Sequence, residues 1–170
     1  MPYPNVVPHR WHGVATARPS GLLALLLRAP TVLYALGLGW LLGGRFVELT
    51  HRGRRSGLIH RTVVEVTRFD RATREVIVMS AWHGRTDWYR NIQAEPALEV
   101  RLGRLRFVPE QRLLDAAETV REMRDYLRRY PFAVRLLPVL FGIDPRGPEA
   151  ASREAIADFF KGVALRPKGR

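Results

Sequence analysis

Two β-branched runs lie close together in this chain, Thr62-Val63-Val64-Glu65-Val66-Thr67 and Glu75-Val76-Ile77-Val78-Met79-Ser80. The connector between them, Asp70-Arg71-Ala72-Thr73, is polar and short enough for a hairpin, so the pair reads as two antiparallel strands. Residues 45–50, 98–102 and 105 to about 113 show the same short alternation, and Leu102-Gly103-Arg104-Leu105 has the form of a tight turn. Four or five strands at this spacing predict a small antiparallel barrel or sandwich. Between the third and fourth strands, Thr86 or Asp87 can cap a short helix that runs to Gln93 and stops before Pro96. After Asp115 the residues Ala116, Ala117, Val120, Met123, Tyr126 and Leu127 recur at three- and four-residue steps. They predict a helix ending before Pro131, with one more within residues 148–160.

At 170 residues the chain suits one domain with a single core. We expect an irregular, proline-rich arm over residues 1–20 and a domain over 21–160. The domain divides into an apolar helical segment (21–44), a barrel (about 45–114) and a helical part (115–160), and a basic, frayed tail follows at 161–170. The uncharged run from Ala29 to Gly44 is sixteen residues and holds Pro30, Gly37, Gly39, Gly43 and Gly44. A spanning helix needs about 20 apolar residues. The run is expected to pack on the core or to rest on a membrane surface, and the arginine-split segment does not resemble an export signal.

The absence of cysteine excludes a disulfide framework, a thiolate metal site and a thiol nucleophile. His9, His12, His51, His60 and His83 form no metal-ligand spacing, and no metal is expected. No Gly-x-Gly-x-x-Gly follows a first strand, which disfavours a nicotinamide dinucleotide fold. The formal charge is +12, and apart from Lys161 and Lys168 every cation is an arginine. Guanidinium groups bind phosphates and carboxylates in bidentate fashion, so an anionic partner is expected.

The densest charge is His51-Arg52-Gly53-Arg54-Arg55-Ser56-Gly57-Leu58-Ile59-His60-Arg61, between two predicted strands. Glycines beside Arg54 and Arg55 let backbone amides, the Ser56 hydroxyl and guanidinium groups converge on one anion; a solvated basic hairpin loop is the plain alternative. In Ser80-Ala81-Trp82-His83-Gly84-Arg85-Thr86-Asp87-Trp88-Tyr89-Arg90-Asn91, aromatic rings with nearby donors suit a flat conjugated ligand, and core packing is the alternative. Asn91 lies three residues after Trp88 on the same helical face.

Leu49-Thr50-His51-Arg52-Gly53-Arg54-Arg55-Ser56-Gly57, followed by Asp87-Trp88-Tyr89-Arg90-Asn91-Ile92-Gln93-Ala94-Glu95-Pro96, resembles the deazaflavin-dependent nitroreductase family in order and spacing, over residues 28–114. The resemblance implies an α+β, mainly antiparallel fold: a split β-barrel of the FMN-binding-like kind with flanking N- and C-terminal helices. It further implies an oxidoreductase that uses the reduced deazaflavin coenzyme F420 to pass a hydride to an apolar quinone, nitroaromatic or activated alkene. By the same resemblance Arg54, Arg55, Ser56, Gly57 and Arg61 meet the coenzyme's anionic phosphodiester and oligoglutamate end. Ser80, Ala81 and Trp82 line the ring or its hydroxylated chain, and Trp88 and Asn91 brace the loop or touch the tail. Tyr130, Tyr126 and His83 are the candidates for any proton donor. FMN is the alternative cofactor, with an FMN- or haem-binding barrel as the nearer rival. A basic nucleic-acid-binding module is the rival from another class, although no nucleic-acid partner is expected. The expected partners are a small-molecule electron acceptor, a second copy in a homodimer through residues 132–141, and a peripheral membrane contact. The expected location is cytoplasmic, at or near the inner face of the membrane.

Overall fold

Short β-branched segments joined by tight turns leave pairing between neighbours as the simplest way to satisfy their backbone groups. In the computed structural model, which describes residues 30, 32–133 and 153–169, they form β1 (Phe46–Arg52), β2 (Ile59–Phe69), β3 (Val76–Ser80), β4 (Glu99–Leu102), β5 (Leu105–Phe107), β6 (Pro109–Leu113) and β7 (Lys161–Pro167). Helices among the described residues include α1 (Asp87–Ala94), α2 (Ala116–Arg129) and α3 (Arg153–Phe159). The strand order is β5-β4-β1-β2-β3-β7-β6, antiparallel at every pair.

This order closes on itself. β5 and β6 stand at its two ends, yet Val108 alone separates them in the chain, and two residues reach at most about 7 Å. The edges are therefore held together and the sheet curls into a nearly closed barrel. Eleven-residue β2 serves both halves: it pairs with β1 from Ile59 to Glu65 and with β3 from Val66 to Phe69, with a register irregularity between Val66 and Arg68. Such a bulge bends a strand and raises its twist, which splits the barrel into two curved halves.

The barrel is filled by Val47, Leu49, Val66, Val76, Val78, Val100, Leu102, Val163 and Leu165, against which α1 packs Trp88, Tyr89 and Ile92. A second cluster lies beyond the end of β3, where Ala81 and Trp82 meet Val120, Met123, Tyr126 and Tyr130 around α2, and Ile156 and Phe160 around α3. Asp115 starts α2 with a capping box: its carboxylate accepts from the Glu118 amide at 2.7 Å, and Glu118 accepts from the Asp115 amide at 3.0 Å. Gly103 makes the β4–β5 turn with φ +57, a left-handed conformation that favours glycine.

Two expectations are corrected. The basic tail at 161–170 is not frayed: its residues 161–167 are β7, paired with β3 on one side and β6 on the other, and Val163 and Leu165 are wholly buried. The cations Lys161, Arg166 and Lys168 concealed an apolar Gly-Val-Ala-Leu centre whose strand partners are remote in sequence. The strand expected from 105 to about 113 is two strands, because Pro109 has no N–H to continue the ladder.

In the apolar segment 21–44, residues 39–42 form a short 3-10 turn. Buried Tyr34 donates to the Phe46 carbonyl at 2.6 Å, and Gly39 sits so close to its ring that a Cβ would stand 2.6 Å from Cδ1. The arm at 1–20, residues 21–29 of the apolar segment, and all of the 132–141 patch beyond Ala133 lie outside the described residues. No described helix is long and apolar enough to cross a membrane.

β7 makes the barrel depend on its last strand. Leu165→Ala should lower the unfolding free energy by about 3 kcal/mol, read by urea denaturation, and a chain ending at Phe160 should show no cooperative unfolding transition.

Candidate functional site

The loop between β1 and β2 is built by glycine. Gly53 donates to the Leu58 carbonyl and accepts from the Gly57 amide, both at 2.8 Å. A Cβ on Gly53 would stand 2.6 Å from Ser56 Oγ and 2.8 Å from His60 Nε2, and Gly57 holds φ +67. Arg54 is tied down on three sides. Its backbone amide and its Nη1 both donate to Asn91 Oδ1, at 3.1 and 2.8 Å, and its Nη2 donates to Asp87 Oδ1 at 2.9 Å. Arg55 and Ser56 stand exposed beside it.

Behind Asn91 the polar contacts continue inward. Its Nδ2 lies 3.3 Å from His51 Nδ1, and His51 Nε2 lies 3.1 Å from Thr62 Oγ1. His51 and Asn91 are both buried. Neither His51 nor Asp87 was among the expected site residues. The alternation of β1 does place His51 on the same side as Val47 and Leu49, and an interior histidine needs polar partners.

On the other face of β1, Thr50 pairs with Arg61, and Glu48 with Val63 and Arg101. Burial of Glu48 raises its pKa, against the opposing pull of Arg61 and Arg101. The Nε of Arg61 is buried and has no hydrogen-bond partner among the described residues.

At the end of β3, Ser80 Oγ lies 2.7 Å from Thr86 Oγ1, so the residue that precedes α1 spends its hydroxyl on the strand rather than on the helix amides. Trp82 and His83 both adopt left-handed backbone, φ +54 and +57. Each costs on the order of 1 to 2 kcal/mol, a strain that side chains tolerate at sites fixed by their surroundings. His83 Nδ1 pairs with Asp158 at 2.8 Å. The Tyr126 hydroxyl donates to Glu65 Oε1 at 2.6 Å, and the same carboxylate holds Arg45 at 2.7 Å. Arg45 in turn lies 4.3 Å over the Tyr130 ring. Burial first, then the bond to Glu65, pushes the Tyr126 pKa well above its ordinary value.

The structure thus gathers the expected residues into two sets joined by the start of α1. Arg54, Arg55, Ser56, Gly57 and Asn91 form one, and Ser80, Ala81 and Trp82 form the other, with Tyr126 and Tyr130 behind them. Thr86 bonds to the second and its neighbour Asp87 to the first. Arg61 stands on the strand leaving the loop. Trp88, expected to brace the loop or touch the tail, is buried in the barrel core, with its ring 5.8 Å from that of Tyr89 and nearly perpendicular to it.

A tyrosine whose folded pKa lies above its unfolded value of about 10 adds stability below that pH. The stability fades as pH rises through 10 towards the folded value, because the native state then binds more protons. The unfolding free energy should therefore fall between about pH 10 and 11, less steeply in Tyr126→Phe, when followed by urea titrations at each pH.

A model of the family described as F420H(2)-dependent quinone reductase matches residues 35–134, well over half of the chain. No curated protein matches it. Among solved structures the chain is similar to an F420-H2 dependent reductase, at 16% identity over 72% of this chain and 94% of that one, with a TM-score of 0.47. It is also similar to a pyridoxamine 5'-phosphate oxidase-related, FMN binding protein from Nostoc punctiforme PCC 73102, at 16% identity over 81% and 80%, with a TM-score of 0.41. Likenesses this faint carry no argument about residues, and the assignment rests on the sequence model, whose span takes in the glycine loop, α1 and α2. The chain belongs to the F420H(2)-dependent quinone reductase family and is an oxidoreductase whose cofactor is coenzyme F420.

Proposed function

We propose that this chain holds the anionic end of reduced F420 at the β1–β2 loop, holds the ring beside Ser80, Ala81 and Trp82, and reduces an apolar quinone-type acceptor. The observation that carries the reading is Arg61: a buried guanidinium Nε with no partner among the described residues, on the strand that leaves a glycine-built loop, is a donor that an anion would complete. Arg55 and Ser56 on that loop would supply further donors, and Gly57 keeps the backbone open to close approach. The residues present therefore fit the coenzyme. When bound, reduced F420 supplies the hydride.

The chain's own work is to position and to exclude water. Trp82 and the α2–α3 cluster wall one side of the proposed ring site. Among the proton-donor candidates, Tyr126 has its O–H committed to Glu65, and burial first, then that bond, raises its pKa. His83 is paired with Asp158. Tyr130, beside the Arg45 cation, is the donor in this reading. An apolar acceptor is supported by the exposed Leu36, Trp40 and Leu41, with Arg104 placed 5.6 Å over the Trp40 ring. An aromatic and apolar patch with a cation suits contact with a membrane surface, where long-chain quinones reside.

The test is a fluorescence titration with F420, with FMN and with a deazaflavin lacking the phosphodiester and glutamate tail. F420 should bind best. Arg55→Ala should weaken F420 by roughly tenfold, about 1.4 kcal/mol, and leave the tail-less ligand unchanged. Equal losses for both ligands, or none, would remove the loop from the coenzyme site. Turnover of F420 with a quinone should exceed that with a nitroaromatic or an enone, and equal rates would overturn the choice of acceptor.

A further inference from the structure

The buried contacts behind the loop allow one proton arrangement. Two donors of Arg54, its amide and its Nη1, converge on a single atom of the Asn91 side chain, which must therefore be the carbonyl oxygen. The amide NH2 then faces His51 Nδ1 at 3.3 Å. An NH2 group only donates, so Nδ1 carries the lone pair and the ring proton sits on Nε2. That proton is donated to Thr62 Oγ1, 3.1 Å away. The His60 ring stacks on the imidazole with centroids 5.8 Å apart, which fixes its plane. His51 is 2% exposed and Asn91 5%, so water does not take over these bonds. An Asn91 amide turned by half a rotation would set its NH2 against the two Arg54 donors and lose both bonds.

We infer that His51 is a positioning residue for the anionic end of the coenzyme. Held in the Nε2–H form by Thr62, it locks the Asn91 amide, and Asn91 holds the Arg54 backbone and guanidinium. The loop at 53–57 then presents Arg55, Ser56 and its amides already ordered, which spares the ordering cost on binding. This inference rests on the proposal that the loop receives the anionic end of F420. It adds a residue that does not itself meet the coenzyme or the acceptor and acts through Asn91 and Arg54.

Three variants test it: His51→Leu, His51→Asn and Thr62→Val. In His51→Asn the new Oδ1 stands where Nδ1 was and restores the acceptor. Affinity for F420 and for the tail-less deazaflavin is measured beside the thermal midpoint of each protein. His51→Leu should bind F420 roughly tenfold more weakly with the tail-less ligand unchanged, His51→Asn should stay within about twofold of the parent, and Thr62→Val should lose about three- to fivefold. Where His51→Leu does not fold, Thr62→Val decides, because Thr62 is half-buried and its loss leaves the imidazole in place. Parent-like F420 affinity in Thr62→Val and His51→Leu overturns the inference, as does equal weakening of both ligands, which marks a purely structural role. Arg55→Ala separates the two failures. If it weakens F420 while the His51 and Thr62 variants do not, the loop reading stands and this inference falls; if Arg55→Ala too is without effect, the loop reading itself has failed.

Discussion

A single residue, Val108, lies between β5 and β6, the two ends of the strand order, and this connection forces the sheet to close. Closure creates an interior, and the interior needs a filling that the short strands do not provide alone. α1 supplies it with Trp88, Tyr89 and Ile92. A helix that buries one face must turn the other outward. Asp87, at the start of α1, thereby faces the β1–β2 loop, and Asn91 one turn later receives Arg54. The candidate site is in this sense a by-product of barrel packing: the same eight residues fill the core and anchor the loop.

The arginine-rich loop shows how one charge run divides into different tasks. Arg54 is held by a carboxylate and an amide, so most of its donor capacity is spent inside the protein. Arg52 caps the Gly57 carbonyl at 3.0 Å and reaches Glu95. Arg55 remains exposed, and Arg61 is half-buried with its Nε unmet. A buried guanidinium donor without a partner is costly, whereas an exposed one costs little, so Arg61 has more to gain from an anion than Arg55. Residues in left-handed backbone at Trp82 and His83 add a second fixed point, held by the packing of α2 and α3 and by the His83–Asp158 pair.

Local signals were read well from the chain itself. Short alternation marked β1 to β4, the helical period after Asp115 marked α2, and Gly103 marked the β4–β5 turn, because each depends on neighbours within a few residues. The glycine loop and the Asp87–Asn91 helix were legible for the same reason. The errors share a cause too. β7 passed as a basic tail because flanking cations hid its centre and its partners are far away in sequence. For Trp88 the chain left two readings open, bracing the loop or touching the tail, because a tryptophan near a motif looks the same whether its ring faces a cavity or a core.

Residue order by itself determined most of the strand and helix segments before residue 130, the absence of thiol chemistry, and a family whose motifs sit in contiguous stretches. Tertiary structure decided which cations are spent on internal bonds and which stay open, and where the barrel ends. It also decided that His51 stands behind Asn91, forty positions away. The physical reason is that propensity, capping and turn geometry act over a few residues, whereas burial and hydrogen-bond satisfaction are settled only when remote segments close on one another.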